Sequence, residues 1–345
     1  MITGIQAERG DLREHFLSKS EWANAQRIAL AGDASRRRYH RLKDTETGQG
    51  AILMDAPPEL GEDVRPFLQV AAYLKSLGLS APEIFEADEE RGFLILEDFG
   101  DTLYDEMCRR QPDSEDQIYD AAVDVLVTLC DAEPMPQLDD YTEMMSRVAL
   151  DSYRWYVEPL TGRDMSEERA AATEALTPLI ALLGGGSVTI LRDYHAQNLL
   201  WLPDREGAAR VGLLDFQDAM HGPAAYDLIS LTTDARRDVP AHIQTRCKDR
   251  FVERRGLNAE NFAREAAICS VQRNLRILMV FGRMSLHFEK PHYVDLVPRV
   301  WGHLMQDLKH PDLSDLAALV HTHFPEPTPE NLKLLKEKCG TIPTL

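Results

Sequence analysis

The sequence has little of what marks several common classes of protein. Its 345 residues carry a formal net charge of −19 at pH 7, so it lacks the basic excess with which proteins bind nucleic acid. It has no apolar run near the about 20 residues that cross a bilayer, and its first residues turn polar too early for a secretory signal peptide. These absences predict a soluble protein that binds neither nucleic acid nor membrane.

Cysteine is scarce and irregularly spaced. The five cysteines show no Cys-x-x-Cys spacing, which is typical of reduced thiols in the cytosol rather than of a disulfide framework. We therefore expect a cytoplasmic protein, and the sequence indicates no obligate protein partner.

The chain is long enough for two lobes with separate cores, because 44% of its 345 residues are hydrophobic. Apolar spacing predicts helices over residues 9–25, 64–77, 141–156 and 165–183. Strand-like segments lie at residues 36–43, 51–58, 84–87 and 93–96. Ser114, three residues before Gln117, resembles a capping box at the start of a further helix.

The polar residues that suggest chemistry surround one predicted hairpin. Two apolar runs, residues 199–202 and 211–214, flank a polar turn that contains Pro203 and Gly207, a pattern typical of two paired strands. Asp193 and Asn198 precede the first strand, and Asp215 follows the second. Because the two ends of a hairpin lie side by side, we expect Asp193 and Asn198 to lie near Asp215.

This set of side chains is the one that phosphoryl transfer requires. One carboxylate, Asp193, would orient and deprotonate a hydroxyl, while Asn198 and Asp215 would hold the Mg²⁺ that bridges the nucleotide phosphates. A single Asp at a strand end is more often a turn former. The combination of all three, followed by Gly222 and Asp227, indicates a kinase-like site.

The same spacing resembles the catalytic and magnesium loops of the protein-kinase-like fold, in its aminoglycoside phosphotransferase and choline kinase branch. His195 and Gln217 fit the variant motifs of that branch. The resemblance implies an α+β fold with a small antiparallel β-sheet lobe at residues 1–97, a hinge at 98–102 and a larger, mostly helical lobe at 103–345. It also implies that ATP and Mg²⁺ bind between the lobes, and that Asp227 braces the catalytic loop.

On the nucleotide side, the resemblance places a small-residue turn over the phosphates and the backbone of the hinge against the adenine. The turn comprises Gly32, Asp33, Ala34 and Ser35, and the hinge contact comprises Glu97, Asp98 and Phe99. The lysine expected in the third strand is absent, because Met54 and Asp55 occupy that region. Our hypothesis is that Arg37, Arg38 or Arg41 neutralises phosphate charge instead; alternatively, these arginines form a solvated strand face.

Several stretches also resemble the bacterial anomeric sugar kinases. They are Gly32-Asp33-Ala34-Ser35 with Arg37-Arg38-Tyr39 and Arg41, Met54-Asp55-Ala56-Pro57-Pro58-Glu59, Leu96-Glu97-Asp98-Phe99-Gly100-Asp101, Asp234-Ala235-Arg236-Arg237-Asp238-Val239, Gln272-Arg273-Asn274-Leu275 and Pro298-Arg299-Val300-Trp301. This likeness implies transfer of the γ-phosphate to the anomeric hydroxyl of N-acetylmuramate or N-acetylglucosamine, giving a sugar 1-phosphate for cell-wall recycling. Candidate substrate contacts are His195, Asp218, Arg236, Arg237 and Arg273. Leu191 stands where the broader family has a histidine.

Two other functions stay open. An aminoglycoside, choline or homoserine kinase uses the same machinery, and an acidic pocket would favour it. A nucleotide-binding pseudokinase is suggested by the absent lysine, although the presence of Asp193, Asn198 and Asp215 argues against it. A protein substrate is not expected, because the chain between Asp215 and Asp227 is too short for a peptide-docking segment.

Overall fold

The computed structural model describes residues 2–30, 36–183 and 187–343, with side chains from residue 9 onward. The chain divides into two compact units. The first unit comprises Met1–Met107 with Asn198–Asp218, and the second comprises Cys108–Gln197 with Ala219–Leu345. The segment 198–218, which contains the predicted hairpin, thus groups with the N-terminal part of the chain. The lobe boundaries at residues 97 and 103, with a hinge between them, stay a prediction.

The strands are short. In chain order they are β1 (Gln26–Ala29), β2 (Arg38–Lys43), β3 (Gly50–Asp55), β4 (Ile84–Asp88), β5 (Phe93–Glu97), β6 (Ser187–Ile190), β7 (Leu199–Trp201), β8 (Val211–Leu213) and β9 (Met220–Pro223). The helices include one of 28 residues, α10. In chain order they are α1 (Ile2–Leu17), α2 (Arg65–Ser76), α3 (Tyr104–Arg110), α4 (Glu115–Asp131), α5 (Thr142–Leu150), α6 (Glu158–Thr161), α7 (Ser166–Ala181), α8 (Ala225–Thr232), α9 (Ala241–Arg255), α10 (Ala259–Leu286), α11 (Val297–Asp307), α12 (Ser314–His323) and α13 (Pro329–Glu337). The predicted α+β fold, with a small antiparallel sheet and a larger helical part, is confirmed.

The first unit is built on a five-stranded antiparallel sheet with the strand order β1-β2-β3-β5-β4. In two of the three inner strands, Leu53 of β3 lies opposite Ile95 of β5. These side chains form one buried cluster with Leu42, Ala51 and Leu17, the last residue of α1. Burial of this apolar area, at roughly 25 cal/mol per Å², holds α1 against the sheet.

An ion pair adds to the attachment of α1. Asp55, the last residue of β3, is fully buried, and its Oδ1 accepts a hydrogen bond from Nε of Arg9 at 2.9 Å. The Arg9 guanidinium also lies 3.9 Å from the ring centroid of Phe93. Because a buried carboxylate without a cation is costly, Asp55 has a structural role in the region where kinases carry a lysine.

The predicted hairpin is confirmed. Strands β7 and β8 pair antiparallel, with Leu199 opposite Leu213 and Trp201 opposite Val211. The backbone N–H of Trp201 donates to the carbonyl of Thr102 at 2.8 Å, which attaches the hairpin to the chain that follows β5.

The second unit is arranged around α10. A Cβ added at Gly282 of this helix would lie 2.0 Å from the carbonyl oxygen of Trp155, so only glycine permits this packing. Strands β6 and β9 pair antiparallel, with Ile190 opposite Met220; β6 leads into residues 191–198, and β9 leads into α8, which is buried along its whole length. In the part of the chain that the structure describes, no helix is sufficiently long and apolar to cross a membrane.

Candidate active site

Asn198 and Asp215 meet at the open end of the β7–β8 hairpin. The pairing brings the two ends of the hairpin together, and the N–H of Leu214 donates to the carbonyl of Asn198 at 3.0 Å. The Nδ2 of Asn198 lies 3.5 Å from Oδ2 of Asp215, while Nε2 of Gln217 donates to Oδ1 of Asp215 at 2.7 Å. This part of the predicted arrangement is present in the structure.

The backbone at Asp215 is strained. Its φ of 56° lies in the left-handed region that non-glycine residues seldom adopt. The next residue, Phe216, is fully buried and stacks on Phe67 of α2 with ring centroids 4.7 Å apart. The buried ring therefore anchors the turn, and the turn exposes the carboxylate of Asp215.

These side chains fit a magnesium ion. Mg²⁺ takes oxygen ligands, usually one or two carboxylates completed by phosphates and water, and Asp215 and Asn198 supply a carboxylate and an amide oxygen. Among the described residues, no group of three or more His, Cys, Asp or Glu side chains could hold a metal by itself.

The first of the three candidate arginines, Arg37, forms an ion pair with Glu62. Arg37 Nε donates to Oε2 of Glu62 at 2.7 Å, and both side chains are largely buried, with exposed fractions of 12% and 15%. Tyr39 lies within the field of this pair and of Asp215: burial raises the pKa of its phenol, Arg37 opposes the rise and Asp215 adds to it. Tyr39 is thus a residue on which both Arg37 and the proposed metal ligand Asp215 act.

The other two arginines have different surroundings. Arg41 Nε lies 2.6 Å from Oδ2 of Asp98, and its Nη2 lies 2.8 Å from Oδ1 of Asp101, so its charge is matched by two carboxylates. Arg38 is exposed at the start of β2. The turn that contains Gly32 and Ser35 with Asp33 and Ala34, predicted to cover the phosphates, lies outside the described residues.

Two residues of the predicted hinge contact, Glu97 and Phe99, interact with Arg205 in the turn of the β7–β8 hairpin. Arg205 Nη2 donates to Oε1 of Glu97 at 2.5 Å, and its guanidinium lies 5.1 Å from the ring centroid of Phe99. A Cβ added at Gly212 of β8 would lie 2.9 Å from Cδ2 of Phe99, so this glycine permits the ring to pack. The N–H of Glu97 already donates to the carbonyl of Glu83 at 2.8 Å, and the predicted adenine contact would need other backbone groups.

In the second unit, Asp227 fixes the loop that carries Asp193 by accepting two of its backbone N–H groups. The Asp227 carboxylate, in the first turn of α8, accepts the N–H of Leu191 at 2.5 Å and that of Arg192 at 2.9 Å. Burial raises the pKa of Asp227 to about 7, against the opposing effect of these two N–H groups. Arg192 has a φ of 70°, so the turn that presents Asp193 is strained like the turn at Asp215.

His195 is buried two residues beyond Asp193. Its Nε2 lies 3.2 Å from Nη1 of Arg236; because a guanidinium only donates, Nε2 accepts and the ring proton lies on Nδ1. Burial lowers the pKa of His195 to about 4, although Asp234 and Asp193 oppose the shift. The imidazole is therefore uncharged at neutral pH and does not add a cation beside Asp193.

The remaining candidate substrate residues, Arg273, Arg237 and Asp218, lie in different surroundings. Arg273 is buried in α10, and its Nη1 donates to the carbonyl of Thr233 at 3.2 Å; the charge of Asp193 acts on it. Arg237 instead donates to the hydroxyl of Tyr119 at 2.8 Å and forms an ion pair with Glu115. Asp218 is exposed and belongs to the first unit.

Some residues near the site were missed in the sequence. Glu62 pairs with Arg37 across 25 positions, and Asp234, which is almost fully buried, accepts the N–H of Arg236 at 2.8 Å. The resemblance marks Tyr39 and Asp234 only as parts of motifs. No local pattern connects Glu62 with Arg37, so only the folded chain reveals that pair, whereas Asp234 and Arg236 form a local turn two residues apart.

Comparison with known proteins agrees with this geometry. Residues 27–268 match the model of the family described as "Phosphotransferase enzyme family". A protein of Caulobacter vibrioides named N-acetylmuramate/N-acetylglucosamine kinase is 35% identical, over 94% of this chain and 99% of its own length. A protein of Pseudomonas aeruginosa with the same name is 31% identical, over 86% of this chain and 88% of its own.

Solved structures show the same fold. A microcompartment-associated aminopropanol kinase superposes with a TM-score of 0.61 at 17% identity, covering 90% of this chain and 99% of its own. The ADP-bound aminoglycoside phosphotransferase APH(2'')-Ib superposes with a TM-score of 0.58 at 13% identity, covering 85% and 98%. At such identities the likeness concerns the fold alone.

Proposed function

The chain belongs to the phosphotransferase enzyme family, and from this premise we propose that it transfers the γ-phosphate of ATP to the anomeric hydroxyl of N-acetylmuramate or N-acetylglucosamine. The Asn198–Asp215 pair at the end of one hairpin is the observation that carries the chemistry. The choice of sugar is supported by the names of relatives that align over most of this chain.

In this proposal each side chain has a defined task. Asp193 orients the sugar hydroxyl and accepts its proton as the oxygen bonds to the γ-phosphorus and the bond to the β-phosphate oxygen breaks. Asn198 and Asp215 hold Mg²⁺, which when bound neutralises charge on the phosphates. Because His195 is neutral, it does not offset the negative charge with which Asp193 accepts the proton of the sugar hydroxyl.

On the nucleotide side we assign the missing lysine's task to Arg37. Its pair with Glu62 resembles a lysine–glutamate pair in which the carboxylate orients a cation toward the phosphates. Residues 98–102 would act as the hinge. A reaction that consumes ATP and yields a sugar phosphate for cell-wall recycling fits a cytoplasmic location.

A panel of acceptors tests the function. The purified chain is incubated with ATP, Mg²⁺ and N-acetylmuramate, N-acetylglucosamine, choline, homoserine and an aminoglycoside, and NMR locates the phosphate. We expect a sugar 1-phosphate from wild-type protein and none from Asp193→Asn or Asp215→Asn variants that retain wild-type circular dichroism. Phosphate on choline, homoserine or the aminoglycoside alone would overturn the assignment.

One observation argues against a cationic acceptor such as choline or an aminoglycoside. The charge of Asp193 acts on two arginines of α10, Arg273 and Arg276, and Arg236 lies beside His195. Basic surroundings of this kind repel a cation, whereas a neutral or anionic sugar is compatible with them.

A further inference from the structure

Three arginines of the second unit, Arg236, Arg273 and Arg276, form a basic cluster near Asp193. This cluster contrasts with a chain whose net charge is −19. Arg273 and Arg276 sense the charge of Asp193, and Arg236 contacts His195, two residues further along, at 3.2 Å. The buried carboxylate of Asp234 also acts on Arg273, so three arginines outnumber two carboxylates where the acceptor is proposed to bind.

Arg276 differs from most buried or half-buried arginines of this chain in its partners. Its Nη1 lies 3.4 Å from the hydroxyl oxygen of Tyr226, and no carboxylate oxygen of the described residues lies within 4.0 Å of its guanidinium. By contrast, Arg237 pairs with Glu115 and Arg299 with Asp238. Arg276 is partly exposed, so a ligand can reach it.

The neighbours of Arg276 do not neutralise it. Arg273 lies three positions earlier in α10, a spacing at which side chains of one helix face each other and like charges repel. Burial raises the pKa of the Tyr226 phenol, so that hydroxyl stays uncharged. Asp193 is a carboxylate whose charge acts on Arg276, and together with Tyr226 and Tyr141 it raises the pKa of Arg276 against the effect of burial. Because no carboxylate of the described residues contacts this guanidinium directly, its N–H groups can donate to an anionic ligand.

The geometry of a guanidinium selects the class of anion. Its planar fork of N–H donors matches a carboxylate with two parallel hydrogen bonds. N-acetylmuramate carries a carboxylate on its lactyl group, whereas N-acetylglucosamine has none, and relatives are named for both sugars. An arginine placed for the carboxylate would serve one of these acceptors and leave the other unaffected.

We propose that Arg276, supported by Arg273, binds a carboxylate of the acceptor sugar and so favours N-acetylmuramate over N-acetylglucosamine. The inference rests on the proposed function. It concerns specificity and not the transfer step, because a residue that acts on the transferred phosphate would affect both sugars equally.

The first test needs no variant. The kcat/KM of wild-type protein is measured with N-acetylmuramate, its lactyl methyl ester and N-acetylglucosamine. Loss of two charge-assisted hydrogen bonds corresponds to a fall of about tenfold or more, so the ester should be about tenfold poorer than the acid. If no sugar is phosphorylated at all, the proposed function fails; if acid and ester react equally well, only the carboxylate site fails.

The second test uses variants of one helix. Arg276→Met keeps length and removes charge, and Arg283→Met is the matched control, because Arg283 is exposed two turns later, with its guanidinium 5.8 Å from the Trp155 ring centroid. We expect Arg276→Met to lower kcat/KM about tenfold for N-acetylmuramate, with little change for N-acetylglucosamine or in the KM for ATP. An equal fall for both sugars, or a fall for neither, would overturn the proposal.

Discussion

Removing the positive charge of Arg37 should weaken catalysis with ATP more than removing either of the other candidate arginines. Arg37 is largely buried, donates to Glu62 at 2.7 Å and lies near Tyr39, whose pKa senses Asp215. Arg38 is exposed on the same strand, so Arg38→Met is a matched control. Arg41 is occupied by the carboxylates of Asp98 and Asp101.

The size of the effect follows from this geometry. A hydrogen bond to a charged group contributes roughly 1.5–3 kcal/mol, and each 1.36 kcal/mol corresponds to a factor of ten in rate. The Arg37→Met variant should therefore lose about ten- to a hundredfold in kcat/KM for ATP. Glu62→Gln retains the cation and loses only its orientation, so its loss should be smaller.

The assay is steady-state kinetics with ATP varied at saturating acceptor, accompanied by thermal unfolding of each variant. The reasoning is refuted if Arg37→Met leaves kcat/KM for ATP unchanged while Arg38→Met lowers it. It is also refuted if Arg37→Met lowers activity only in proportion to a loss of folded protein.

Three further predictions concern parts of the site. Burial raises the folded-state pKa of Asp227 to about 7, above its usual value of about 3.9, so its contribution to the free energy of unfolding is complete below about pH 4 and declines as the pH rises to 7. The Asp227→Asn variant should lose this pH dependence, which is worth up to about 4 kcal/mol in urea titrations at several pH values. If the free energy of unfolding varies with pH in the same way for the variant and the wild-type protein, the prediction is wrong. Phe216→Ala should cost about 3–5 kcal/mol of stability by leaving a cavity against Phe67 and should lower kcat, as thermal unfolding and kinetics will show. Gly212→Ala should raise the KM for ATP with little effect on the acceptor KM, because the added Cβ would lie 2.9 Å from Phe99; unchanged nucleotide affinity would place the base elsewhere.

Sequence periodicity predicted the elements whose signals are local. The β7–β8 hairpin follows from two apolar runs around a polar turn, and α2 follows from apolar positions one turn apart. The magnesium pair was predictable for the same reason, since Asn198 and Asp215 flank that hairpin.

Other predictions were wrong for identifiable reasons. The single α-helix predicted over residues 141–156 is interrupted: α5 ends at Leu150, and a separate π-helical turn follows at Tyr153–Val157. Pro159 lacks an N–H for the carbonyl of Trp155, four residues earlier, and Gly282 packs closely against that carbonyl. The π-helical turn, which is wider than an α-helical turn, accommodates both the missing N–H of Pro159 and the close packing of Gly282.

Two details at helix ends were also wrong. Ser114 occupies the N-cap position of α4 as predicted, but its side chain makes no capping hydrogen bond, because its hydroxyl donates to the carbonyl of Gln111 at 2.7 Å. Helix α1 ends at Leu17 rather than near residue 25, since the Ser18 and Ser20 hydroxyls donate to carbonyls three residues earlier and compete with further helical turns.

The polar partners of the site could not be predicted from local pattern. Arg276 meets Tyr226 across 50 positions, and Asp227 reaches the N–H of Leu191 across 36. Such contacts depend on how α8 and α10 pack. Helical periodicity predicts which side of a helix is apolar, but it does not identify the element that packs against that side.

The contacts of Arg205 with Glu97 and Phe99 constrain the length that the β7–β8 turn can have. Turns at the tip of a hairpin ordinarily tolerate insertions and deletions. Here a change of even one residue between β7 and β8 would shift Arg205 away from both partners. We therefore expect homologues with a Glu–x–Phe segment that starts at the last residue of β5 to keep the length of this turn as well.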